Sequence, residues 1–175
     1  MDLITKLQNA NLIKYGNFTL KSGKQSDIYF DFKGLTNHPK LVYEICQELC
    51  KFIHSIDNFV AGVPLGAISY ATLVSHITNI PMVLIREEKK TYGTCKLVEG
   101  YTENKNIILI EDVITTGTSV INTLKKLEEN NIKVDKIICI LDRNEGGKDN
   151  IIKYGYKVET LLTINDGKII YCDNS

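Results

Sequence analysis

Short apolar runs that lack polar alternation constrain this chain more than any other feature. Residues 59–63, 81–85, 107–110 and 137–141 are almost wholly apolar. A strand with no polar face must be covered on both sides, which parallel sheets achieve by carrying helices above and below. Helical patterns do separate the runs: residues 67–77, and a stretch after Ser119 that sets Val120, Leu124 and Leu127 on one face. Residues 157–164 and 168–171 supply the last strands. The pattern predicts an α/β fold, a doubly wound parallel sheet flanked by helices.

Ahead of that core, residues 2–14 read as a helix with Leu3, Leu7 and Ala10 on one face. Residues 18–21 and 28–32 read as a hairpin about Ser22 and Gly23. Pro39 then opens a helix bearing Leu41, Ile45, Leu49 and Phe52. A length of 175 residues suits one domain, 1–175, with a helix and small hood in 1–35 and the α/β core in 58–164. Between Arg86 and Lys105 the periodicity stops, and charged residues surround Gly93 and Gly100. A structureless stretch of that length reads as a catalytic lid, 86–105, against the plainer alternative of an inert surface insertion.

Composition narrows the function. With 43% hydrophobic and 24% charged residues the chain is neither disordered nor fibrous. Basic and acidic residues both total 21, for zero formal net charge, whereas a protein that grips nucleic-acid phosphates is clearly basic. No nucleic-acid partner is expected. The uncharged stretch 58–85 is interrupted by Gly62, Pro64, Gly66 and Pro81, so it reads as strand, loop, helix and strand, not a membrane span. The first 14 residues lack the apolar core of a signal peptide. Five cysteines without a CxxC pair or an adjacent histidine argue against zinc. They fit a reducing cytoplasm, with Cys95 as an exposed thiol. Of the 21 basic residues only Arg86 and Arg143 are arginine, so these two mark places where a forked, bidentate donor is wanted, unless both are incidental surface residues.

The chemistry concentrates in residues 107–119, IILIEDVITTGTS. An apolar strand runs into Glu111 and Asp112, then into a turn of small residues, then into a helix beginning near Ser119. Ligands of parallel α/β sheets bind at the carboxyl ends of strands. A small-residue turn there aims backbone N–H groups of a helix N-terminus at a phosphate monoester. Thr115, Thr116, Thr118 and Ser119 add hydroxyls, and Gly117 allows close approach. Two acids beside an anion site suit a sugar phosphate, whose hydroxyls donate to carboxylates and whose magnesium ion they help to hold. No GxxxxGK[ST] is present, so this is not a Walker loop. The plain alternative is a capped helix after an acidic strand end.

Residues 107–119 resemble the phosphoribosyl pyrophosphate-binding motif of type I phosphoribosyltransferases. FTLKSGKQSDIYFDF (18–32), IREEKKTYGTCKLVEG (85–100) and LDRNEGGKD (141–149) narrow the resemblance to orotate phosphoribosyltransferase, closest in wording to the first domain of eukaryotic UMP synthase. The resemblance implies transfer of phosphoribose to orotate with Mg2+, in a cytoplasmic homodimer that shares loops across its interface. It implies Lys90, Tyr92, Arg86 and Asp112 as catalytic residues. Donor contacts fall to Leu65 and Gly66, to Lys89, and to the run Glu111, Asp112, Val113, Ile114, Thr115, Thr116, Gly117, Thr118 and Ser119. Orotate contacts fall to Lys21, Tyr29, Phe30 and Arg143, with Thr115 touching both substrates. The metal is expected to be held by pyrophosphate, ribose hydroxyls and water. Glu87 departs from many relatives in the family, which have lysine there. The sequence to Ser175 holds no decarboxylase region, so that step is expected elsewhere or on a segment outside these 175 residues. A purine or uracil phosphoribosyltransferase and a non-catalytic ligand sensor on the same fold are the alternatives; the hood and DRNEGG speak against the first, zero net charge against the second.

Overall fold

The computed structural model describes residues 1–19, 25–88, 96–101 and 105–172. Its elements run α1 (Leu3–Asn9), β1 (Ile13–Thr19), β2 (Gln25–Phe30), α2 (Phe32–Leu35), α3 (Pro39–Cys50), β3 (Phe59–Gly62), α4 (Ile68–Thr78), β4 (Leu84–Ile85), β5 (Val98–Glu99), β6 (Ile107–Ile114), α5 (Thr118–Glu129), β7 (Val134–Asp142), α6 (Gly147–Tyr154), β8 (Lys157–Asn165) and β9 (Lys168–Tyr171). The main sheet has the order β3-β6-β7-β8-β9; its first four strands are parallel and β9 returns antiparallel to β8.

Alternation along the strands explains the two layers. Ile108 and Ile110 of β6, with Ile138 and Ile140 of β7, point into one apolar cluster that holds residues of α1, α3 and α4. Ile107 and Leu109, with Ile137 and Cys139, point into a second cluster built with Val120, Leu124 and Leu127 of α5 and Ile151 of α6. All eight strand positions are at most 1% exposed, so each face needs its helices. Both sides are sealed.

Three expectations need correction. The helix expected over 2–14 ends at Asn9, and β1 begins four residues later. Asn11 takes φ 56, a left-handed conformation that asparagine tolerates and a helix cannot continue through. The strand expected over 81–85 runs beside the main sheet for only three residues, Val60 N donating to Pro81 O and Val83 N to Val60 O at 3.0 Å each. Met82 makes one parallel bridge to Val60, and Leu84–Ile85 pairs antiparallel with Val98–Glu99. The second strand of the hood ends at Phe30, because Asp31 caps α2 by accepting from Gly34 N at 2.8 Å. The hood itself is the hairpin β1–β2; its expected turn at Ser22 and Gly23 lies outside the described residues. Among the described residues no helix is long and apolar enough to cross a membrane.

Candidate active site

The C-terminal ends of β6 and β7 carry two adjoining cavities. The smaller, about 120 Å³, is enclosed by Glu111 and the turn from Val113 to Val120. Its floor depends on two glycines that nearly touch. A Cβ on Gly147 would lie 2.4 Å from Thr115 O and 2.7 Å from Gly117 N, closer than such atoms approach. Gly117 takes φ +78 and precedes α5, so the first amides of that helix open toward the cavity. Asn150 Nδ2 donates to Thr116 O at 3.1 Å, tying α6 to the same turn. Thr116 Oγ1 and Thr118 Oγ1 lie 2.9 Å apart at its rim.

Glu111 and Asp112 lie inside β6, not beyond it. Glu111 is buried and its Oε1 accepts from Asp112 N at 3.0 Å. Burial first, then the hydrogen bond and negative charge of Asp112, push its carboxyl up to about 9. Glu111 therefore holds a proton at neutral pH. Asp112 is half-buried; its Oδ1 accepts from Val113 N at 2.8 Å. Its other oxygen faces Gly66, where a Cβ would fall 2.4 Å from Oδ2. The exposed pair Leu65 and Gly66 thus borders the acids, after a Pro64–Leu65 peptide that is cis.

The larger cavity, about 280 Å³, lies between the hood and the sheet. Tyr29, Phe30 and Phe32 form one wall, and Asp112, Thr115 and Arg143 another. Phe30 and Phe32 pack with tilted rings, their centroids 4.3 Å apart. Arg143 Nη2 donates to Ser26 Oγ at 3.2 Å, joining the sheet to the hood, and its Nε lies 3.0 Å from Glu145 Oε1. Arg143 N also donates to Ile114 O at 2.9 Å, so the guanidinium is referenced to the β6 turn. Val113 and Thr115 line both cavities. A flat ring in the larger space and a phosphate in the smaller would be neighbours.

The structure brings together Tyr29, Phe30, Asp112, Val113, Thr115 and Arg143 in one cavity, and Glu111 with 113–119 in the other. Ile114 turns its side chain into the core and offers only backbone. Arg86 lines a neighbouring cavity that shares Ser119 with the cradle, and its Nη2 and Nε lie 3.1 and 3.3 Å from Glu99 Oε1. Lys21, Lys89, Lys90 and Tyr92, with Cys95, lie outside the described residues. Ser26, Lys33 and Glu145 were not singled out from the sequence, although Ser26 and Glu145 fall inside the quoted stretches; only the folded hairpin brings Ser26 to Arg143. Gly147 was legible in principle, as the second glycine of Gly146-Gly147 beside a strand end.

Comparison with known proteins decides the family. The family model described as Phosphoribosyl transferase domain matches residues 33–170. Orotate phosphoribosyltransferase of Pyrococcus horikoshii is 38% identical over 94% of this chain and 91% of its own length. The chain belongs to the orotate phosphoribosyltransferase family. The bovine Uridine 5'-monophosphate synthase is 35% identical over 93% of the chain, which spans 35% of that longer relative. Among solved structures, UMP synthase of Leishmania donovani superposes with TM-score 0.80 at 30% identity, covering 93% of this chain and 36% of that one. Orotate phosphoribosyltransferase from Aeropyrum pernix gives TM-score 0.80 at 25% identity over 93% of this chain and 94% of its own. The family's fold is the α/β architecture expected from the apolar runs.

Proposed function

We propose that the chain transfers phosphoribose from 5-phosphoribosyl 1-pyrophosphate to N1 of orotate, giving orotidine 5′-monophosphate and pyrophosphate. The observation that carries this reading is the shared wall, Val113 and Thr115, between a phosphate-sized cradle and a flat cavity ending in Arg143. In this reading the 5-phosphate sits on the amides and hydroxyls of residues 115–119, where a helix N-terminus favours negative charge. Asp112 accepts from a ribose hydroxyl. Phe30 and Tyr29 cover the pyrimidine face, and the fork of Arg143 meets the carboxylate or ring carbonyl of orotate. As the C1–oxygen bond to pyrophosphate breaks, its electron pair leaves with pyrophosphate while orotate N1 forms the new bond and its proton passes to solvent. Lys90, with Lys89 and Tyr92, is proposed to meet the departing charge and to keep water from the ribose.

Magnesium suits this arrangement as a companion of the donor. Among the described residues no group of three or more His, Cys, Asp or Glu side chains could hold a metal. Bound to pyrophosphate, ribose oxygens and water, with Asp112 alongside, the ion would neutralise leaving-group charge. The reaction is placed in the cytoplasm and in a homodimer whose 86–105 loops are shared between subunits. Mixing Lys90→Ala with Asp112→Asn chains should regain activity; a mixture no better than its parents rejects sharing. The activity itself is tested by following orotate absorbance with magnesium and donor, with uracil, hypoxanthine and adenine in parallel. Consumption of orotate alone supports the reading. Use of another base, or binding of donor without turnover, overturns it in favour of another phosphoribosyltransferase or a sensor.

A further inference from the structure

The threonine turn of the cradle carries carbonyls as well as amides, and a bound anion tolerates only the amides at its surface. Which group it meets depends on how each peptide plane is turned. The planes on either side of Thr116 are trans, since Pro64–Leu65 is the only cis peptide among the described residues. In a trans peptide the C=O and N–H groups point in opposite directions. Both carbonyls of this turn face α6. Thr115 O lies 2.4 Å from the place a Cβ on Gly147 would take. Thr116 O accepts from Asn150 Nδ2 at 3.1 Å. Gly147 and Asn150 stand three residues apart on α6 and so share one face of it. The N–H groups of Thr116 and Gly117 belong to these same two planes and therefore point away from α6. The cradle lies on that side, lined by Glu111 and residues 113–120 and by no residue of α6.

The two planes are held unequally. Gly147 walls in the first. A flip of the second changes only ψ of Thr116 and φ of Gly117, and glycine accepts either sign of φ. Among the described residues no backbone N–H donates to Thr116 O, so the Asn150 amide is what orients this carbonyl. We infer that Asn150 is a positioning residue of the donor cradle: it holds the Thr116 carbonyl against α6 and thereby keeps the Gly117 N–H turned toward the phosphate. The inference rests on the proposed function for the phosphate being that of the donor; the orientation of the plane rests on the contacts alone. Asn150 and Thr116 are both exposed, so water can satisfy the carbonyl once Asn150 is replaced. Water does not impose a direction, however. A carbonyl turned inward would set its negative end against the phosphate.

The test uses the full chain as Asn150→Leu, which keeps the bulk and loses the donor, and as Asn150→Gln, which keeps the amide on a longer stem. Two quantities are read: kcat with the KM of each substrate, and the amide signal of Gly117 in a nitrogen–proton correlation spectrum during titration with inorganic phosphate, which needs no turnover. In the wild type phosphate should move the Gly117 proton downfield, as a hydrogen bond to an anion does. Asn150→Leu should raise donor KM about three- to ten-fold, the factor that one modest hydrogen bond represents, with orotate KM and melting temperature unchanged. Its Gly117 signal should move less. Asn150→Gln should recover most of both losses. Wild-type donor KM in Asn150→Leu, or equal losses for both substrates with a lowered melting temperature, would overturn the inference. An Asn150→Gln chain no better than Asn150→Leu would do the same. So would a wild-type chain whose Gly117 signal ignores phosphate, whether or not it turns over orotate. A chain that answers phosphate at Gly117 but leaves orotate unconsumed would remove the proposed function, and the Gly117 shifts would then decide the role of Asn150 by themselves.

Discussion

The phosphate-sized cradle and the cavity under the hood, proposed above as the donor side and the orotate side, are built in different ways. The cradle comes from one continuous stretch, residues 111–119, and works mainly through backbone amides at the start of α5. The cavity under the hood is assembled from β2, α2, β6 and the end of β7, and presents side chains such as Tyr29 and Arg143. A phosphate is much the same in every donor, so a short rigid turn suffices. A substituted pyrimidine must be told from other bases, which takes side chains from several elements. The cradle still depends on one distant residue, Gly147, whose missing side chain lets α6 close against Thr115 and Gly117.

That dependence is the place to break the donor side. In Gly147→Ala the new methyl group meets a backbone oxygen, a backbone nitrogen and Ile114 Cγ2. Backbone cannot step aside as a rotamer can, so the loss of stability should be at or above about 3 kcal/mol. Chemical denaturation measures it, and donor KM should rise while the hood contacts of Arg143 persist. Wild-type stability and donor KM would show that the cradle is independent of α6.

The orotate side is broken by Arg143→Lys. Charge is kept, but the fork that reaches Ser26 and the cavity is lost. Orotate binding should weaken by about 1.5–3 kcal/mol, the scale of a hydrogen bond to a charged group. Donor KM should hardly move. Equal losses for both substrates would erase the distinction between the two sides.

A smaller effect sharpens the donor side. Glu111 is pushed from 4.5 to about 9, chiefly by burial. Between those values the unfolded chain has released a proton that the folded chain keeps, so stability falls as pH rises toward 9 and is fully present only below 4.5. Between pH 6 and about 7.5 the wild type should lose on the order of 2 kcal/mol from this group. Glu111→Gln should flatten that slope in a thermal melt series. A slope equal in both chains would assign the pH dependence to other groups.

The smallest effect concerns Glu87. An acid near an anionic donor repels it by about 1 kcal/mol at a wet site, and salt weakens the term. Glu87→Lys should lower donor KM several-fold at low salt, less at high salt, and leave orotate KM alone. Because Lys126 holds the Glu87 carbonyl, the variant should keep the loop root in place. An unchanged or higher donor KM would mean that the carboxylate points away from the donor.

Local pattern and contiguous motif were legible from residues alone. The buried strands at 107–110 and 137–141, the helix bearing Val120, Leu124 and Leu127, and the acid pair before a threonine-rich turn are each set by neighbours within a few positions. Periodicity reads such features because side-chain direction follows the local backbone. Other outcomes depend on partners far along the chain. Residues 81–85 looked like a core strand, yet Leu84 and Ile85 found Glu99 and Val98 instead of the main sheet. Arg86 and Arg143 both looked like ligand arginines; folding set the first against Glu99 and the second between Ser26 and Glu145. Hydrogen bonding and burial are settled by whichever group arrives across space, and the sequence by itself carries that information only when the partners are adjacent in the chain.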